Sequence, residues 1–231
     1  MNCDVKQFIY SHPKLIQLVL SIYNRMNPKN RLWAKGVKIT LGATLLQGLK
    51  IVSTGVDNEV VFGDFVRIKN CTIIIRGSHN RVRIGDGAIL DRVELCMEDS
   101  GNEIRIGNKT EIYGSAHLAA IEGTKILIGD NCLFSSDLHI RTGDSHSILN
   151  MAGKRINNSM DVVIEDHVWI GTRVTCLKGV RVMEDSVVAA TTTLCKQYGE
   201  KNAVIGGVPG RIIRTGVNWC HDRRVDEGDK A

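Results

Sequence analysis

A chain of 231 residues with 43% hydrophobic content can bury one substantial core and carry a small appendage. Only 5% of it is aromatic while 23 residues are glycine, so that core must be layered from small branched side chains. The formal charge of +5 comes from scattered Lys and Arg, which argues against a nucleic-acid interface and leaves a solvated surface or attraction of an anionic ligand.

The start, Met1 to Phe8, has no basic segment followed by an apolar stretch and a cleavage site, so no secretory leader is predicted. Residues 1–35 read as a helical cap. Ser11-His12-Pro13 marks a helix start, and Leu15, Ile16, Val19, Leu20 and Tyr23 follow at helical spacing until Asn27-Pro28 breaks it. The patch from Leu15 to Tyr23 is too short to span a bilayer. The expected role is to cover one end of the main domain. The alternative is a membrane-surface helix using Lys14 and Arg25, a peripheral contact that is not expected.

Residues 36–205 repeat. Phe62-Gly63-Asp64, Ile84-Gly85-Asp86, Ile106-Gly107-Asn108 and Ile128-Gly129-Asp130 start 22 residues apart. Val60, Val82, Ile104 and Ile126 keep step before them. The small Val66, Ala88, Thr110 and Cys132 keep step after them, then Ile68, Leu90, Ile112 and Phe134. From Ile164 the period shortens to six, through Ile170, Cys176, Val182, Val188 and Leu194, with Val168, Val174, Val180, Ser186 and Thr192 at a fixed offset. Neither a helix nor an isolated strand has that period. The expected fold is an all-β, single-stranded parallel β-helix of about eight coils stacked at about 4.8 Å, or on the order of 40 Å tall.

Cysteines fall at 3, 71, 96, 132, 176, 195 and 220, an odd number with no CxxC pair, so neither a disulfide framework nor a zinc ribbon fits. Several occupy small inward positions of the repeat and read as reduced core residues in a cytoplasmic protein. The rhythm fails at about 144–161, where a coil corner can expel a loop, and loops on rigid scaffolds often carry function. Residues 206–231 form a short closing segment from Arg211 to Trp219 and a tail, Asp226 to Ala231, that reads as disordered.

The loop and its surroundings carry a sharper likeness. Asp144-Ser145-His146-Ser147-Ile148, Gly153-Lys154-Arg155-Ile156-Asn157 and Asp166-His167-Val168-Trp169-Ile170-Gly171 resemble the glycan O-acetyltransferase branch of the hexapeptide-repeat acyltransferases. The likeness runs from about 126 to 214, and the repeat extends it to about 38. It implies a left-handed helix, a homotrimer, acetyl-CoA as acyl donor without a metal, and transfer to a saccharide hydroxyl. His146 stands at the position of the family's catalytic base, and Trp169 resembles a tryptophan lining the active-site groove. Asp144, two residues from His146, or Asp137 on the preceding strand could fix its tautomer, as could a backbone carbonyl. His139, one coil after His117, is the rival base. Cys132 and Cys176 need no catalytic role, because direct attack forms no acyl-enzyme.

For the donor, the resemblance points to Gly171, to Ala189 and Ala190 beside the pantetheine arm, and to Lys196 and Arg211 as phosphate ligands. Thr191 stands where family members often have Gly, which puts the local backbone contact in doubt. Two other functions fit the residues. A metal-dependent β-helix enzyme like the γ-carbonic anhydrases would use His117, His139 and His146. A glycan-binding scaffold would use none catalytically.

Overall fold

The computed structural model describes residues 12–224. The tail from Asp226 to Ala231 lies outside them. Among the described residues the chain is an all-β, left-handed parallel β-helix with one helix at its N-terminal end. Its triangular coils have three faces. The first face stacks eight short parallel strands, from Val37–Leu41 to Gln197–Tyr198. The second runs from Leu45–Gln47 to Ala203–Gly206, and the third from Lys50–Thr54 to Thr193–Leu194. The strands Ile89–Met97 and Glu111–Ala120 each bend across the second and third faces. Seven coils are complete, and two strands of an eighth follow, where about eight coils were expected.

The register follows the repeat. Val60, Val82, Ile104 and Ile126 pair in sequence along the first face. Ile126 then pairs with Val162, so the chain between them carries the loop without shifting the stack. The small positions Val66, Ala88, Thr110 and Cys132 are all 0% exposed, as the interior of a narrow prism requires. The six-residue series from Ile164 to Leu194 is buried throughout. Among the described cysteines, Cys71, Cys96, Cys132 and Cys176 are buried, Cys195 and Cys220 are exposed, and all are free thiols. Burial pushes Cys71 and Cys132 up to about 11, and Cys176 higher still, so these thiols stay protonated and inert.

The Gly-Asp motif has a mechanical explanation. At the corner between first and second faces, each coil's backbone N–H donates to the carboxylate or amide oxygen of the next. Ala43 N bonds Asp64 Oδ1 at 2.7 Å, Asp64 N bonds Asp86 at 2.8 Å, and Asp86 N bonds Asn108 at 2.9 Å. Asn108 N bonds Asp130 at 2.7 Å, and Asp130 N bonds Asp166 at 2.8 Å. The preceding glycine makes room: a Cβ on Gly107 would sit 2.3 Å from the Gly129 carbonyl oxygen. At the corner between third and first faces a second ladder runs the other way. Asn80 N and Asn102 N each donate to the asparagine Oδ1 of the coil before, both at 2.9 Å.

The helix α1, Pro13–Met26, closes the N-terminal end. Its proline sits in the first turn, where no helical N–H is needed, and Arg25 lies in the last turn, where the dipole favours a cation. Asn24, 2% exposed, donates to the Thr44 carbonyl at 2.8 Å and accepts from Leu46 N at 2.9 Å. Asn30 Oδ1 accepts from Gly48 N at 2.8 Å. Polar side chains thus satisfy the open edge of the first coil, which would otherwise present unpaired backbone groups.

Candidate active site

The loop leaves the prism after the third-face strand Leu138–Arg141 and returns at the first-face strand Val162–Ile164. It folds on itself through Ile156 N to the Ile148 carbonyl and Asn150 N to the Lys154 carbonyl, both at 2.9 Å. Polar clamps fix it to the body. Asn157, 6% exposed, donates from Nδ2 to Asp144 Oδ2 and to the His146 carbonyl, both at 2.8 Å. Asn157 Oδ1 accepts from Ile148 N at 2.8 Å. Lys178, on the next coil, donates to the Asp144 carboxylate and to the Asn157 carbonyl. Arg155 forks onto Glu122 at 2.7 and 3.0 Å, and Ser159 joins the same carboxylate at 2.7 Å. The hydrogen bond from Lys178, with that from Asn157, holds Asp144 below the usual carboxylate range, and Arg155 does the same for Glu122.

His146 sits exposed beyond this neck. Its carbonyl is pinned by Asn157, while its ring makes no hydrogen bond among the described residues. The Asp144 carboxylate turns to Lys178 and Asn157, and Asp137 Oδ2 accepts from Ser136 Oγ at 3.4 Å. Ahead of His146, Arg141 Nη2 reaches Glu98 at 2.9 Å and Ser145 Oγ at 2.8 Å, and Ser145 Oγ donates to Glu98 at 3.0 Å. No motif in the sequence marks Glu98, Lys178 or the clamping role of Asn157.

His117 and His139 pair in register on the third face, with ring centroids 6.0 Å apart. His117 Nδ1 lies 2.9 Å from Glu94 Oε1, so the dyad already has its carboxylate. Among the described residues of one chain no three His, Cys, Asp or Glu side chains lie together as a metal site, and His146 stands apart from the His117 and His139 pair.

Trp169 opens a second-face strand, Trp169–Ile170, so it stands past a different corner from the loop. Trp219 returns from the C-terminal segment to stack on His167 at 4.4 Å and to donate its indole N–H to the His167 carbonyl at 2.8 Å. His167 Nδ1 is held by Asp185 at 2.8 Å. Gly171 is demanded by packing, because a Cβ there would meet Ala190 N at 2.7 Å. Ala189 N donates to Ile205 O at 2.8 Å, and Thr191 adopts a left-handed φ of 60°. Lys196 and Arg211 share the C-terminal rim. Lys196 Nζ lies 5.8 Å over the Tyr198 ring, and the Tyr198 hydroxyl donates to the Gly210 carbonyl at 3.2 Å, one residue before Arg211. The strand Arg211–Thr215 pairs antiparallel with Ala203–Gly206 and is exposed.

No family model matches the chain. It is 32% identical over 107 residues to the polysialic acid O-acetyltransferase of Neisseria meningitidis, a match covering 46% of this chain and 50% of that protein. It is 31% identical over 124 residues to the galactoside O-acetyltransferase of Lactococcus lactis subsp. lactis, covering 52% and 58% respectively. The chain thus spans about half the length of the curated relatives it matches. Among solved structures, the polysialic-acid-specific acetyltransferase NeuO superposes with a TM-score of 0.74 at 27% identity, over 85% of this chain and 89% of that one. The polysialic acid O-acetyltransferase OatWY gives 0.72 at 28%, over 85% and 92%. The repeat, the coil register and these likenesses converge on one conclusion: the chain has the parallel β-helix fold of NeuO and OatWY and is similar in sequence to sugar O-acetyltransferases.

Proposed function

We propose that the chain transfers an acetyl group from acetyl-CoA to a hydroxyl of a saccharide, with His146 as general base. The observation that carries this reading is the contrast at His146: a backbone pinned by Asn157 and a ring that makes no hydrogen bond among the described residues. A neutral imidazole held this way accepts the hydroxyl proton as the sugar oxygen attacks the thioester carbonyl. A C–O bond forms, the C–S bond breaks, and the proton passes from imidazole to the departing thiolate. The relatives named for polysialic acid and galactosides support a sugar acceptor. Lys196 and Arg211, exposed on one rim, fit the phosphates of the donor, and Ala189 and Ala190 leave room for its arm.

The active form in this reading is a homotrimer. Ile148, Leu149, Met151 and Ile156 are exposed on the loop, as expected of a segment that packs on a neighbouring copy. Free thiols among the described cysteines fit a reducing, cytoplasmic setting. Among the described residues no helix is long and apolar enough to cross a membrane. His146→Ala is expected to lower acetyl transfer by at least about 100-fold with an unchanged melting temperature. Full activity in that variant, read with a free-thiol assay across glycans and nucleotide sugars, overturns the assignment.

A further inference from the structure

The helix α1 covers the first coil with one face and leaves another uncovered. Ile16, Leu20, Asn24 and Asn27 turn inward. Leu15, Leu18, Val19, Ile22 and Met26 are 48, 59, 54, 53 and 77% exposed. At about 100° per residue these five fall within an arc of about 100°, a continuous apolar stripe. Lys14 and Arg25 border it on the side away from the prism. Just past the helix, Trp33 is 96% exposed, which no packing role explains.

Charge supplies the second, independent observation. The basic residues are not evenly scattered after all: between residues 12 and 56 stand seven Lys and Arg and no Asp or Glu, although the whole chain carries only +5, so the rest of the molecule is net acidic. Lys14, Arg25, Lys29, Arg31, Lys35 and Lys38 are all exposed, and none forms an ion pair among the described residues. A solvated surface usually intersperses both signs, and an end that caps a solenoid for solubility is polar. This end is apolar and cationic together, with an exposed indole.

We infer that the N-terminal end of the prism docks on an anionic lipid surface, the outer stripe of α1 entering the boundary between headgroups and acyl chains. An amphipathic helix lying in the interface needs an apolar face, basic flanks and an aromatic anchor. Exposed Lys and Arg near such a surface each add attraction that salt screens. The docking leaves the loop and the C-terminal rim free, and it does not depend on His146 or on acetyl transfer.

The test is co-sedimentation of the full chain with vesicles of phosphatidylcholine alone or with about one third phosphatidylglycerol. Binding to the anionic vesicles is expected to exceed that to neutral ones by at least about tenfold and to fall in about 0.5 M salt. Leu18→Ser with Ile22→Ser, and separately Lys35→Glu with Lys38→Glu, are expected to lower it about tenfold while melting temperature, mass by light scattering and acetyl transfer stay unchanged. Absence of binding to the anionic vesicles, or equal binding to both, overturns the inference. So does a change of oligomer mass in the Leu18→Ser, Ile22→Ser variant, which would assign the stripe to a second copy of the chain.

Discussion

One residue before His146 the backbone turns left-handed, with Ser145 at φ 61°. A residue with a Cβ pays for that conformation unless its surroundings hold it. Glu98 and Arg141 hold it through the Ser145 hydroxyl, and so set where the next side chain projects. Glu98→Gln is expected to lower kcat about tenfold and leave the KM for acetyl-CoA unchanged, because it displaces the proposed base, His146, without touching the rim proposed for the donor. A rise in KM alone would refute this positioning role. His146 was legible because the Asp-Ser-His-Ser run is local. Glu98 lies 47 residues before Ser145, and nothing in its neighbourhood distinguishes it from any polar residue at a strand end. Asp144 was legible as a neighbour of the histidine, but its engagement by Lys178 depends on a contact 34 residues away.

At the scale of elements, the glycine column sets how closely coils approach. Gly107→Ala is expected to cost about 1–3 kcal/mol, because its new methyl meets backbone that cannot yield without opening two coils. Gly199→Ala meets nothing within 4 Å and is expected to be neutral within about 0.5 kcal/mol. Equal urea midpoints for the two variants would remove this account of the motif. The loop answers to pH. Asp144 is held below its ordinary value, so its stabilising contribution is complete above that value and is lost as pH falls through the lowered one. Hydrogen-exchange protection across 144–161 is therefore expected to stay level from neutral pH to about 4 and to drop only below it. The repeat revealed the loop as a failure of rhythm. It could not reveal the hairpin inside, whose bonds between 148 and 156 have no periodic signature.

For the molecule as a whole, the separation of His146 and Trp169 is the telling arrangement. They leave the prism past different corners, so in the proposed homotrimer a groove using both would be completed by a neighbouring copy. Mixing His146→Ala chains with Trp169→Ala chains, each inactive alone, is expected to restore partial activity. No recovery on co-refolding would refute a shared site. The 22-residue register and the six-residue steps made the architecture readable from the sequence, since every inward position recurs. The return of Trp219 to His167 was not readable, because it spans 52 residues and belongs to no repeat.

The two corner ladders also bear on how the chain is made. Synthesis proceeds from the N-terminus, and the coils carrying Asn58 and Asn80 each offer an asparagine oxygen to the coil that follows. Each of these coils also keeps one amide open until the following coil delivers its carboxylate or amide oxygen. For most coils that wait is 22 residues, but the Asp130 amide must wait 36, until Asp166 emerges. In a chain that folds as it emerges, the Asp130 amide therefore meets its carboxylate only after the whole loop bearing His146 has been made.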